Sequence, residues 1–176
     1  MKKIIVLFAM LFALTSGTAQ KFSDIDKSPM DVAIFRSGEN ETLARVIYSR
    51  PQKRDRKIFG KLVEYGKVWR TGANEATEIT LYSDMTLGAT KVPAGTYTLY
   101  SIPGESDWTI ILNTAINAWG AYSYDESKDV ARIKVPVKQS AAPIEAFSMT
   151  FLAEDNGAKL LMGWDEVYVE VPLIKA

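Results

Sequence analysis

The sequence predicts an all-β fold, an antiparallel β-sandwich or barrel-like domain of about eight or nine strands with one short helix. Three observations carry this expectation. From Asp31 onward apolar and polar residues mostly alternate, the period of strands with one buried face. Gly, Pro, Asn and Asp interrupt that alternation at short intervals, as turns require. No repeat, low-complexity tract or linker divides the chain, so residues 20–176 read as a single domain large enough for one substantial core.

Asp31 to Arg36 and Thr42 to Ser49 read as two strands joined by a turn at Ser37-Gly38. The helix is expected over Arg56 to Val63, where Ile58, Phe59, Leu62 and Val63 would share a side and Gly66 would end it. Glu78 to Tyr82, Thr96 to Ile102 and Trp108 to Leu112 read as strands, with Pro93-Ala94-Gly95 leading into the second of them. Ala131, Ile133, Val135 and Val137 alternate with polar residues, and Pro136 on the polar side places that strand at an edge or beside a bulge. Phe147, Met149 and Phe151 form the next strand. Asp155-Asn156-Gly157 supplies a tight turn, and Leu160, Met162 and Trp164 resume the alternation. Val167 to Leu173 closes the chain, with a phase shift at Asp165-Glu166 that a bulge would produce. Trp108 and Trp164 fall within alternating strands and are expected in the core.

Residues 1–19 read as a signal peptide. Met1-Lys2-Lys3 is basic, Ile4 to Leu14 is nearly all apolar, and Gly17 and Ala19 suit cleavage before Gln20. The apolar run is short for a membrane span, and no later run is long enough for one. With no cysteine near the cleavage point, a lipid-modified N-terminus is not expected. Export to the periplasm or beyond follows. Lys2 and Lys3 leave with the leader, so 21 acidic residues face two fewer than the 21 basic ones. Only Lys53-Arg54-Asp55-Arg56-Lys57 concentrates positive charge; it reads as a solvated turn, with anion binding as the lesser alternative. Nucleic acid is not an expected partner.

Two absences restrict the chemistry. The chain has no cysteine, so its core must hold it without disulfides. It also has no histidine, which removes Ser-His-Asp and Cys-His catalysis and the usual zinc and non-haem iron sites. Catalysis would have to use carboxylates, Tyr, Lys or Arg. No metal site or cofactor is expected. Gly60 to Val68 contains Gly-Lys but is no phosphate loop: five residues separate Gly60 from Gly66, and Val68 stands where Ser or Thr should follow the lysine.

Two loops carry the candidate ligand-binding residues. The first holds Trp69, Arg70, Asn74 and Glu75 around Gly72. Arg offers a planar fork for carboxylate or phosphate, Asn both donor and acceptor, and Trp a stacking face. The alternative is a self-contained loop, with Arg70 paired to Glu75, Asn74 bonding backbone and Trp69 plugging the sandwich. The second holds Trp119, Tyr122, Tyr124 and Asp125, preceded by Asn113; it reads equally as a stacking surface or as a structured cap.

Several stretches together resemble one bacterial family, domain of unknown function 2911. They are Tyr48-Ser49-Arg50-Pro51, Arg56-Lys57-Ile58-Phe59-Gly60, the run from Val63 to Thr77, Pro93-Ala94-Gly95-Thr96-Tyr97, Trp108 to Asn113, and Trp119-Gly120-Ala121-Tyr122. The resemblance spans about Ser28 to Ile174 and implies an exported protein of Bacteroidetes-like bacteria. It implies no catalytic assignment.

The residues favour a binding module in which both loops form one cleft for a small polar ligand or glycan. A histidine-free hydrolase using Glu75 and Asp125 as a carboxylate pair is the alternative. An envelope interaction protein with no small ligand is a third reading.

Overall fold

The computed structural model describes residues 20–176, and the leader expected over residues 1–19 lies outside the described residues. In chain order the strands are β1 (Met30–Arg36), β2 (Thr42–Ser49), β3 (Glu78–Leu81), β4 (Met85–Leu87), β5 (Thr90–Val92), β6 (Gly95–Pro103), β7 (Asp107–Asn113), β8 (Asp129–Pro136), β9 (Lys138–Glu154) and β10 (Gly157–Lys175). They form two antiparallel sheets, one ordered β1-β2-β3-β6-β7-β8 and the other β5-β4-β10-β9. The architecture is an open sandwich rather than a closed barrel.

Period-two patterning explains the packing. Trp108, Ile110 and Leu112 of β7, Leu99 of β6 and Leu160, Met162 and Trp164 of β10 all enter the core. Their intervening residues face outward, except where a loop covers them: Tyr100 and Ile111 lie under Ala76, Val68, Ala118, Ala121 and Tyr124 in a second, smaller cluster. Pro136 sits in β8, which is an edge strand. The phase shift at Asp165 is a register break in the β9–β10 ladder, with Asp165 at φ 59°.

The short helix expected over Arg56–Val63 does not form. Gly60 adopts φ +80°, and the chain closes a compact knot in which the Val63 amide donates to the Ile58 carbonyl at 3.0 Å and the Gly60 amide to that of Val63 at 2.8 Å. Four apolar residues that helical spacing would place together are instead divided, with Ile58, Phe59 and Val63 buried and Leu62 exposed. Burial of three side chains from a turn outweighs a weak helical preference in so short a segment. The helical residues among those described are a 3-10 turn at Glu126–Lys128.

Two features beyond the strands set up the candidate site. Leaving β2, the chain crosses to the second sheet, where the Phe147 amide donates to Pro51 and the Lys53 amide to Glu145. Arg50 ties this crossing, with Nε on the Phe147 carbonyl, Nη2 on Ser148 Oγ and Nη1 on Asp31 at 3.0 Å. The second feature is an interrupted strand. Gly66 and Trp69 bond to Pro103 and Ser101 of β6, while Thr77 and β3 bond to the residues of β6 before Ser101. Residues 70–76 are looped out between these two paired stretches, and the Thr77 amide closes their base on the Arg70 carbonyl at 3.1 Å.

Candidate functional site

The looped-out segment is held from within. Thr71 and Asn74 take φ of 54° and 57°, a left-handed conformation that Asn tolerates but a β-branched Thr adopts only when surrounding bonds enforce it. Those bonds are present: Thr71 Oγ1 meets Ser101 Oγ at 2.9 Å, Thr77 Oγ1 donates to the Thr71 carbonyl at 2.7 Å, and Trp69 Nε1 donates to the Gly72 carbonyl at 3.0 Å. Trp69 is only 7% exposed. Its ring stacks on Trp164 at 6.1 Å and meets Phe147 at 5.1 Å, with Phe59 and Trp108 beside it. The residue is a core anchor.

Immediately after this anchor, Arg70 turns into a cleft of about 320 Å³. Arg56, Asn74, Ser28 and the Gly72-Ala73 backbone supply the other polar groups, and Trp69, Trp164, Leu62 and Val63 the apolar ones. Among the described residues no carboxylate lines it. Arg70 Nε is buried and meets no acceptor among the described residues. None of the ion pairs there includes Arg70 either. Arg56 is partly satisfied, giving Nε to the Lys53 carbonyl at 3.1 Å and Nη2 to that of Gln52. Asn74 Nδ2 donates to Asp26 Oδ1 at 3.0 Å. The Ser28 amide foremost, then Asn74, holds the Asp26 carboxyl below the usual carboxylate range.

The remaining candidates lie elsewhere. Glu75 faces a separate hollow of about 210 Å³ that it shares with Glu78, Tyr48, Ser49, Asn117 and Met30. The two loops do run together: Glu75 bridges Trp119 through backbone, the Ala76 amide donates to Ala118 at 2.8 Å and the Gly120 amide to Asn74 at 3.1 Å. The Trp119 ring nonetheless projects outward, 65% exposed, stacked at 5.6 Å on Tyr122, which is 82% exposed. Asn113 is fully buried, donating to the Asp125 carbonyl at 2.9 Å and to Asp129 at 2.7 Å and accepting from the Ala115 amide at 2.9 Å.

Tyr124 donates to Asp129 at 2.7 Å and packs on Tyr100. Burial first, and the Asp129 bond second, push its hydroxyl up to about 12. Asp125 caps the 3-10 turn, accepting from the Ser127 hydroxyl at 2.7 Å and its amide at 3.0 Å. These bonds, the hydroxyl foremost, hold its carboxyl below the usual range. Trp69, Arg70, Glu75, Trp119 and Asp125 therefore do not converge on one concavity.

Arg56, Ser28 and Trp164 line the Arg70 cleft although no spacing in the sequence links them to it. The charge run around Arg56 was the sole sequence signal, and it does not distinguish a cleft wall from a solvated turn. Among the described residues no group of three or more acidic, histidine or cysteine side chains is placed to hold a metal. No helix there is long and apolar enough to cross a membrane.

Fold and site together define an open antiparallel β-sandwich carrying an arginine-lined cleft beside its aromatic core. The chain belongs to the family described as Protein of unknown function (DUF2911), whose family model matches residues 28–173. No curated protein and no solved structure matches it.

Proposed function

We propose that this is an exported binding module whose small polar ligand sits in the Arg70 cleft. The observation that carries the reading is Arg70 itself, a half-buried guanidinium with a buried Nε that no described residue accepts. The Nη groups of the same guanidinium are neither buried nor bonded among the described residues, so an acceptor entering the cleft can meet them with charge-assisted hydrogen bonds. Rigid aromatic packing on one side and polar groups on the other are what small-molecule sites combine. The leader sequence supports export.

A carboxylate-pair hydrolase has less support. Asp125 is committed to capping the 3-10 turn, and Glu75 faces a hollow that Asp125 does not line. The exposed Trp119–Tyr122 stack favours a second reading, contact with a glycan or envelope partner at that surface.

Thermal shift against a panel of neutral sugars, amino acids, organic acids and phosphates tests the first reading. At least one compound should raise Tm, and Arg70→Ala should abolish the rise. A full response in Arg70→Ala, or none from the panel in the native protein, overturns it. Loss of the response in Trp119→Ala alone would move the site to the aromatic stack.

A further inference from the structure

The Arg70 cleft has a charge character that narrows its ligand. We infer that it selects an anionic oxygen group, a carboxylate or a phosphate, and anchors that group on the Arg70 guanidinium; this rests on the cleft being the ligand site. Four observations carry the inference. Both ionisable side chains lining the cleft are arginines, Arg70 and Arg56, and no carboxylate stands among the lining residues to neutralise them. Arg70 joins no ion pair among the described residues, and its Nε lacks an acceptor. A neutral hydroxyl would satisfy one donor; a carboxylate or phosphate can take two from the guanidinium fork and balance its charge.

The third observation is Asn74. Its side-chain amide, on the same wall, already holds a carboxylate, that of Asp26 from the chain preceding β1. The rim thus accepts an anionic oxygen, and the resident one does not reach Arg70. Fourth, Arg56 spends Nε and Nη2 on backbone carbonyls, which fixes its guanidinium against the turn at Gln52-Lys53. Its charge is therefore positioned without being cancelled. The field of the two arginines favours an anion over a neutral ligand of equal size, opposed in part by the Asp26 carboxylate at the rim and screened at the exposed Arg56.

Arg70→Met is the informative variant because it keeps the aliphatic stem while removing charge and donors. Calorimetric titration of the purified protein with inorganic phosphate, glucuronate and glucose, at low and at moderate salt, tests the inference. Phosphate or glucuronate should bind saturably, more weakly as salt rises, and glucose should bind at least about tenfold more weakly than the better anion. A preference for phosphate assigns a phosphoryl group, and a preference for glucuronate a carboxylate.

Arg70→Met should lose about tenfold or more in anion affinity, and Arg70→Lys, which keeps the charge without the fork, should fall between. Arg70→Met should also melt no lower than the native protein without ligand, since an unsatisfied buried donor has been removed. Equal binding of glucose and glucuronate, both lost in Arg70→Met, would overturn anion selection while leaving a polar-ligand site at Arg70. Failure of both anions to bind at millimolar concentration overturns it too, and if glucose also fails, the small-ligand reading has no support in this panel. Anion binding unchanged in Arg70→Met would overturn the assignment to this cleft.

Discussion

At the scale of single residues, two tryptophans in loops of similar composition have opposite fates. Trp69 is packed among Phe59, Trp108, Phe147 and Trp164, while Trp119 is 65% exposed and stacked only on Tyr122 among the aromatic rings. Replacing Trp69 by alanine should cost about 3–5 kcal/mol in urea unfolding, because a large side chain leaves a closed space. Trp119→Ala should change stability by no more than about 0.5 kcal/mol. A loss of similar size from both would contradict this division. The sequence marked both residues and could separate neither, since burial of a loop tryptophan depends on partners remote in the chain. Arg70 was legible as an anion-capable group. That it has no acidic partner among the described residues was not, because Glu75 is near in sequence yet faces another hollow.

At the scale of elements, β1, β3 and β8 follow the alternation closely, whereas β6 and β7 are buried on both faces over much of their length, where a loop covers the outer one. The β4–β5 pair was missed; three-residue strands are too short for a period to register. The first part of β9, Lys138 to Ala146, also lacks a clear alternation, and its pairing comes from β10. Arg56–Val63 failed in the other direction, its helical spacing overruled by the burial of a turn. The loop from Thr114 to Lys128 behaves as an element in its own right, seated on the sheet by Asn113, Tyr124 and Asp129.

Its dependence on pH has a definite sign. Tyr124 has a folded value of about 12, above the ordinary 10.0, so its contribution is complete below pH 10 and is lost as pH rises toward 12. Absorbance of tyrosinate should therefore include a late component near pH 12 that Tyr124→Phe diminishes by one tyrosine's amplitude. Chemical shifts of loop residues should move with that component, and a Tyr124→Phe titration of undiminished late amplitude would contradict the assignment.

At the scale of the whole molecule, the sandwich was readable because alternating stretches recur along the chain from Asp31 to Leu173. The order of strands was not, since it is fixed by the crossing at Pro51–Lys53 and by the Arg50 and Tyr48 ties between β2 and β9. The interrupted strand beside β6 has a consequence of its own. Trp69 and Ser101 exchange both backbone hydrogen bonds, at 2.7 and 3.0 Å, and Leu99 bonds to Thr77 at 2.8 Å, so the cleft wall is clamped at both ends within a central ladder. Such a wall should open only with the ladder that holds it. In native-state hydrogen exchange the amides of Trp69, Ser101 and Leu99 should be released only with the most protected residues of β6 and β7, at the free energy of global unfolding. Early release of Trp69 and Ser101 would show a wall that opens by itself. Late release would make the wall part of the molecule's slowest cooperative unit, so that anything seated on Arg70 slows exchange throughout the sandwich rather than around the loop alone.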